Sequence, residues 1–278
     1  MATERQDEDR APEIVPDPRI DTTVPQNARV WNYWLGGKDN YAVDRQMGDQ
    51  IAAIIPGIVD IARADREFLN RVVSHLAGEA GIRQFLDIGT GLPTANNTHE
   101  VAQRIAPASR VVYTDNDPTV LIHARALLVG TSEGSTDYID ADVHDPATIL
   151  ARAADTLDLS EPVAVLMFGV LNFVADTDEA LAIVRRLMDA VPSGSYLVIA
   201  HPTSDMGGET NAQAMRLWNE NSPQRIRTRT GDEVRRLLDG LEVLEPGLVS
   251  VSQWRAEPDE SGDLPAEVPA YGVLARKP

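Results

Sequence analysis

Two rhythms of apolar and polar positions divide the chain. Between residues 25 and 78 the apolar side chains recur at helical spacing, so this stretch predicts amphipathic helices. Ala28, Trp31 and Leu35 share one face of a first helix, with Pro25 in its opening turn and Gly36-Gly37 as its stop. Val43, Met47, Ile51 and Ile54 form the stripe of a second, which Pro56 ends. Ile58, Ile61, Ala62, Phe68, Leu69, Val72, Val73 and Leu76 form the stripe of a third, closing near Gly78 or Gly81. From residue 84 the pattern changes to short apolar runs separated by helical stretches, the sequence form of successive βαβ units. Strands are expected at 84–88, 110–114, 137–141, 163–168 and 196–200, and the clearest crossover helix at 178–190. Thr230 to Glu233 reads as a capping box opening a helix through Leu238. Two further strands, 241–254 and 271–276, flank a loop rich in Pro, Asp and Glu.

These elements predict an α/β fold: a doubly wound, Rossmann-like, mostly parallel seven-stranded sheet with an antiparallel C-terminal strand and an N-terminal helical extension. Residues 1–22, dominated by Asp, Glu, Pro and Arg, predict a disordered acidic tail. Residues 23–82 form the helical extension or lid, and 83–278 the ligand-binding domain. Asp205 to Thr210, with Gly207-Gly208, is expected to be a flexible rim.

Composition narrows the chemistry. The chain has no Cys, which removes thiolate metal sites, disulfides and thiol nucleophiles. Its five His show no metal-ligand spacing, so no metal is expected. The first residues carry no apolar signal core, and no apolar run approaches the ~20 residues that cross a bilayer. A cytoplasmic location without membrane association is the expectation. A net charge of -18 repels polyanions and disfavours nucleic acid as a partner. Arg225 to Arg229, with Arg235 and Arg236, is a local basic stretch that could serve an anionic ligand.

The chemistry-bearing motif runs from Phe85 to Thr94, a strand leading into a turn with Gly89 and Gly91. Glycines there let backbone approach a ligand at the carboxyl end of the first strand, where open α/β sheets bind. Asp115 stands at the end of the second strand, placed to accept hydrogen bonds from a ribose diol. A dinucleotide fingerprint wants glycine at position 94, and Thr94 occupies it. Asp87, two residues before Gly89, could order the turn and attract a cationic amino end. These features suit S-adenosylmethionine, which carries an ammonium and a sulfonium but no phosphate. Asp142, past the third strand, would receive the adenine amino group.

In order and spacing, Asp87-Ile-Gly-Thr-Gly91, Tyr113-Thr-Asp115-Asn-Asp117-Pro118, Ala141-Asp-Val143 and the closing Tyr271–Pro278 run resemble class I S-adenosylmethionine-dependent methyltransferases. More narrowly, the string from Ala28 to Tyr41, ARVWNYWLGGKDNY, resembles a bacterial family of such methyltransferases whose substrate is unassigned. The resemblance covers roughly residues 22–278. It implies a cofactor site drawn from Asp87, Gly89, Thr90, Gly91, Asp115, Asn116, Asp142, Val143, Phe168 and Gly169, with S-adenosylhomocysteine as product. Pro93 departs from the class pattern, where a third turn glycine is common, and implies a stiffer turn.

On the acceptor side, Asn32, Tyr33, Gly37 and Lys38 are expected to line the pocket from a closing loop. His201, just past the fifth strand, is the best-placed base, and Asn172 could orient an acceptor. The expected acceptor is a small molecule. Two other readings remain open from sequence: a non-catalytic regulator that binds the cofactor or its demethylated product, and an NAD-dependent oxidoreductase.

Overall fold

The computed structural model describes residues 19–127 and 130–278, without the side chains of 125–127. The expected acidic tail therefore lies, up to residue 18, outside the described residues.

Three helices come first: α1 (Asn27–Trp34), α2 (Ala42–Ile54) and α3 (Ile58–Gly78). The sheet domain follows as β1 (Gln84–Ile88), α4 (Thr98–Ile105), β2 (Arg110–Asp115), α5 (Pro118–Leu127), β3 (Ser135–Asp140), α6 (Pro146–Ala153) and β4 (Ala164–Phe168). A 3-10 turn at Leu171–Phe173 leads to α7 (Thr177–Asp189), β5 (Tyr196–Pro202), α8 (Gly208–Asn221) and α9 (Gly231–Arg236). Short strands β6 (Glu242–Val243) and β7 (Val249–Ser250) precede β8 (Ala270–Arg276).

The strand order is β3-β2-β1-β4-β5-β8-β6, with β7 also paired to β8. The first five strands pair in parallel and β8 runs antiparallel to β5. Every residue of β1 is buried, as expected for a central strand covered on both faces. On one face Leu86, Val165 and Leu197 pack with Ile149 of α6 and Leu187 of α7. On the other, Phe85, Leu166 and Val198 pack with Phe68 and Val72 of α3 and Val101 of α4.

The expected 241–254 strand is broken in two. Pro246 has no N–H to give a sheet ladder, so the chain leaves β8 after Val243 and rejoins it at Val249. The expected rim at 205–210 is corrected as well: α8 begins at Gly208, behind a left-handed Gly207 with φ 77°. Its Ala214 and Trp218 pack with Val30 of α1 and with Met47 and Ile51 of α2, a separate apolar cluster.

One buried ion pair organises that cluster. Arg29 and Asp44 are 1% and 0% exposed, and their Nε and Oδ2 atoms stand 2.9 Å apart. Asp44 also accepts from the backbone N–H groups of Gln26 (3.0 Å) and Tyr41 (2.8 Å), while Arg29 donates to the carbonyls of Asp21 and Val24. Each charge is thereby compensated by its partner and by backbone groups, the condition under which burying a pair is tolerated. Removing one member with Asp44→Ala should cost about 3–5 kcal/mol, because the guanidinium stays behind uncompensated. Urea denaturation followed by tryptophan fluorescence measures this; a loss below about 1 kcal/mol would contradict the organising role.

Candidate active site

The order of the strands reverses between β1 and β4, and a cavity of about 560 Å³ opens at their carboxyl ends. β1 and its turn bring Asp87, Gly89, Thr90 and Gly91 to its wall. The end of β2 brings Asp115 and Asn116, the end of β3 Asp142 and Val143, and the end of β4 Phe168 and Gly169. The cofactor candidates of the sequence thus share one cavity wall.

Their hydrogen bonds explain the local geometry. Gly89 takes φ 73°, and a Cβ there would stand 2.5 Å from Val170. Its N–H donates to the Thr114 carbonyl (2.8 Å), fastening the turn to β2. Gly91 takes φ 64°, and the position its Cβ would occupy has no atom within 4 Å. Its N–H donates to Asp115 Oδ2 and that of Asp117 to Oδ1, both at 2.9 Å. One carboxylate therefore clasps the β1 turn to the β2 end and keeps a lone pair on each oxygen. Asp142 accepts from the Asn116 amide (2.8 Å), the His144 N–H (2.9 Å) and the His144 ring (2.6 Å). The Thr90 and Tyr138 hydroxyls are 2.7 Å apart.

Asp87 is 3% exposed and accepts from the Thr98 hydroxyl at 2.6 Å, which joins the end of β1 to the first turn of α4. Nine residues of non-helical chain separate β1 from α4, and Pro93 lies within them. Burial pushes the carboxyls of Asp87 and Asp115 up to about 6 against the pull of their hydrogen bonds. Burial also pushes on Asp142, but the His144 and Asn116 bonds outweigh it and hold that carboxyl below its ordinary value.

With this geometry in place, relatives can be compared. A family model described as S-adenosyl methyltransferase matches residues 14–278. The chain belongs to the S-adenosyl methyltransferase family. A solved DUF574 family protein from Streptomyces avermitilis shares 44% identity and a TM-score of 0.88 over 93% of this chain and 99% of its own. A solved candidate methyltransferase from Thermobifida fusca shares 39% identity and a TM-score of 0.84 over 95% of this chain and 99% of its own. No curated protein matches. S-adenosylmethionine is accordingly the methyl donor, and the nicotinamide and non-catalytic readings fall away.

The acceptor side of this methyltransferase departs more from expectation. His201 lines the cavity but is 1% exposed, with Nδ1 2.8 Å from the Pro202 carbonyl and Nε2 2.8 Å from the Arg229 guanidinium. Burial pushes its pKa down to about 4. Both ring nitrogens are committed, so the geometry leaves His201 no site for an acceptor's proton. Arg229, itself 0% exposed, also donates to the carbonyls of Leu171 (2.7 Å) and Val174 (2.6 Å), holding the turn after β4 against the end of β5. The rest of the basic stretch is spent only in part, since Arg225 lines the cavity while the other arginines form ion pairs nearer the surface. Arg227 pairs with Glu233, Arg235 with Asp232 and Arg236 with Asp178. Asn172 lines the cavity at 4% exposure, and its Oδ1 has no partner among the described residues.

Of the expected lid residues, only Asn32 reaches the cavity. Its Oδ1 accepts from the Asp39 N–H and the Asn40 amide, both at 3.0 Å. Tyr33 turns to α2, donating to Asp49 at 2.7 Å, and Lys38 is exposed. Gly37 is a packing glycine, since a Cβ would fall 2.3 Å from the Asn32 side chain. Trp31 and Leu35, expected as a packed helix stripe, instead face the cavity with Trp34.

Sequence reasoning missed Asp65. Ile58, Ile61, Asp65 and Leu69 form one face of α3, and all four line the cavity. An acid set on an otherwise apolar stripe was the signal that could have found it. Burial pushes the Asp65 carboxyl up to about 6, with Arg66 pulling the other way. Its unfolded value is near 3.8, so the cost of folding around the charge is absent below about pH 4 and complete above about pH 6. Asp65→Asn should therefore stabilise the free protein by about 1–3 kcal/mol at pH 7.5 and leave it unchanged near pH 4. Thermal unfolding at the two pH values tests this; a destabilised variant at pH 7.5 would refute it.

Proposed function

We propose that the enzyme transfers the methyl group of S-adenosylmethionine by in-line displacement to a small-molecule acceptor enclosed in this cavity. The observation that carries the proposal is the continuity of one cavity from the acidic edge of the sheet to an apolar wall built by α1, α2 and α8. The edge fits the cofactor in kind: carboxylates at 87, 115 and 142 suit a cationic ligand, and the glycine turn carries no Lys or Arg for a phosphate.

When bound, the cofactor supplies an electrophilic methyl group on a positively charged sulfur. Asp115 would hold the ribose with the lone pairs that its two backbone donors leave free, supported by Asn116. Asp142 and Val143 would take the adenine. Asp87, with Gly89, Thr90 and Gly91, would face the amino-acid end. Phe168 and Gly169 would border the transferred group, and Asn172 would orient the acceptor. Residues 23–82 serve as the cover over the 83–278 domain, with Asn32, Asp65 and Arg66 among its polar contacts. Alignment and exclusion of water can supply most of the acceleration, about 7–11 kcal/mol. A general base is needed only for an acceptor that arrives protonated.

Two outcomes follow for S-adenosylhomocysteine binding, measured by titration calorimetry. Asp115→Ala should weaken it about 10–100-fold, the worth of hydrogen bonds to a charged group, with the circular dichroism spectrum intact. Unchanged affinity would remove Asp115 from the site. Affinity of the unaltered protein should fall as pH drops through about 6, because Asp115 and Asp87 gain protons there and lose the charge that strengthens their hydrogen bonds to the ligand. A flat profile from pH 8 to pH 5 would contradict the assignment.

A further inference from the structure

The cavity wall carries several groups without a partner among the described residues, Thr114 Oγ1 and Arg66 Nε among them, and two of these are acceptors that face a ligand from outside the strand ends. Asp65, on α3, has no hydrogen bond or ion pair among the described residues, whereas Asp87, Asp115, Asp117 and Asp142 each accept at least one. It is half-buried and opens on the cavity. Asn172 Oδ1, in the turn after β4, is buried and equally without a donor. Neither group has a hydrogen-bond donor in the fold, and a buried acceptor such as Asn172 Oδ1 costs stability unless a ligand meets it.

Both groups can only accept, apart from the amide N–H of Asn172, so their complement carries N–H or O–H donors. The charge of the cavity selects between these. Five carboxylates line it against two guanidinium groups: Arg66 donates to the carbonyl of Asn96 at 3.0 Å and keeps its buried Nε unpartnered, and Arg225 has no ion pair among the described residues. With acids in excess over these two cations, the wall as a whole favours a cationic acceptor, and an ammonium would form a charge-assisted bond with Asp65. The remaining wall is apolar and aromatic, with Trp31, Trp34, Phe173, Met215 and Trp218, which suits a ring and stabilises a nearby cation through the ring faces.

Resting on the methyl-transfer reading above, we infer that the acceptor is a small, ring-bearing amine whose protonated amino group is anchored by Asp65, with Asn172 taking a second donor. Asp65 lies on a helix outside the strand ends that form the cofactor edge, so the anchor belongs to the acceptor.

The test uses the full chain saturated with S-adenosylhomocysteine and three indole probes: tryptamine, indole and indole-3-acetate. Calorimetry should show tryptamine binding at least about tenfold more tightly than either of the others. Asp65→Asn should abolish that preference while leaving the S-adenosylhomocysteine affinity within about twofold. The inference is overturned if indole-3-acetate or indole binds as tightly as tryptamine, if tryptamine does not bind, or if the variant keeps the preference. It is also overturned if the variant loses about tenfold or more in S-adenosylhomocysteine affinity, which would assign Asp65 to the cofactor. Failure of the unaltered protein to bind S-adenosylhomocysteine would instead remove the methyl-transfer reading, and the acceptor assignment with it.

Discussion

The reversal of strand order between β1 and β4 is the constraint on which the site depends. α4, which follows β1, packs on one face of the sheet, and α7, which follows β4, packs on the other. The two chains part as they leave neighbouring strands, and no connection crosses the gap between them. A crevice at the carboxyl edge is the necessary result. The enzyme adds a roof of helices and keeps the enclosed space lined by acids and aromatic rings.

Two buried guanidinium groups hold the parts that border this space. Arg229 gathers carbonyls from the turn after β4 and a ring nitrogen from the end of β5, fixing the segment that carries Asn172. Arg29 does the same for the N-terminal extension, tying the start of α1 to Asp44 of α2. In both, a planar cation with several donors satisfies backbone carbonyls that loops would otherwise bury unpaired. The same arrangement explains why His201 is a structural partner. A neutral ring that accepts from a guanidinium cannot also accept from a substrate.

The cavity contrasts with these compensated centres. Asp87 and Asp115 are held by backbone and hydroxyl donors yet keep raised proton affinities, and Asp65 is not held at all. The buried guanidinium groups are surrounded by carbonyl and carboxylate acceptors, whereas these acids have few donors around them, a local cost in stability of the kind found at functional sites.

Much of the architecture was legible because burial periodicity is local. The stripes of α1 to α3 and the runs of β1 to β5 follow from each residue's own neighbours, and the strand-turn motif placed Gly89, Gly91 and Asp115 at one edge. The sequence by itself determined the fold class, the family and the grouping of a glycine turn with carboxylates at one edge. Only the tertiary structure decided which apolar faces meet a core and which meet a cavity. Trp31 and Leu35 looked like core, the start of α8 looked like a rim, Tyr33 and Lys38 looked like a lid, and His201 looked like the best-placed base. Periodicity reports that a face avoids water; what lies opposite it is set by contacts between residues far apart in the chain, as Arg229 is from His201 and Leu171.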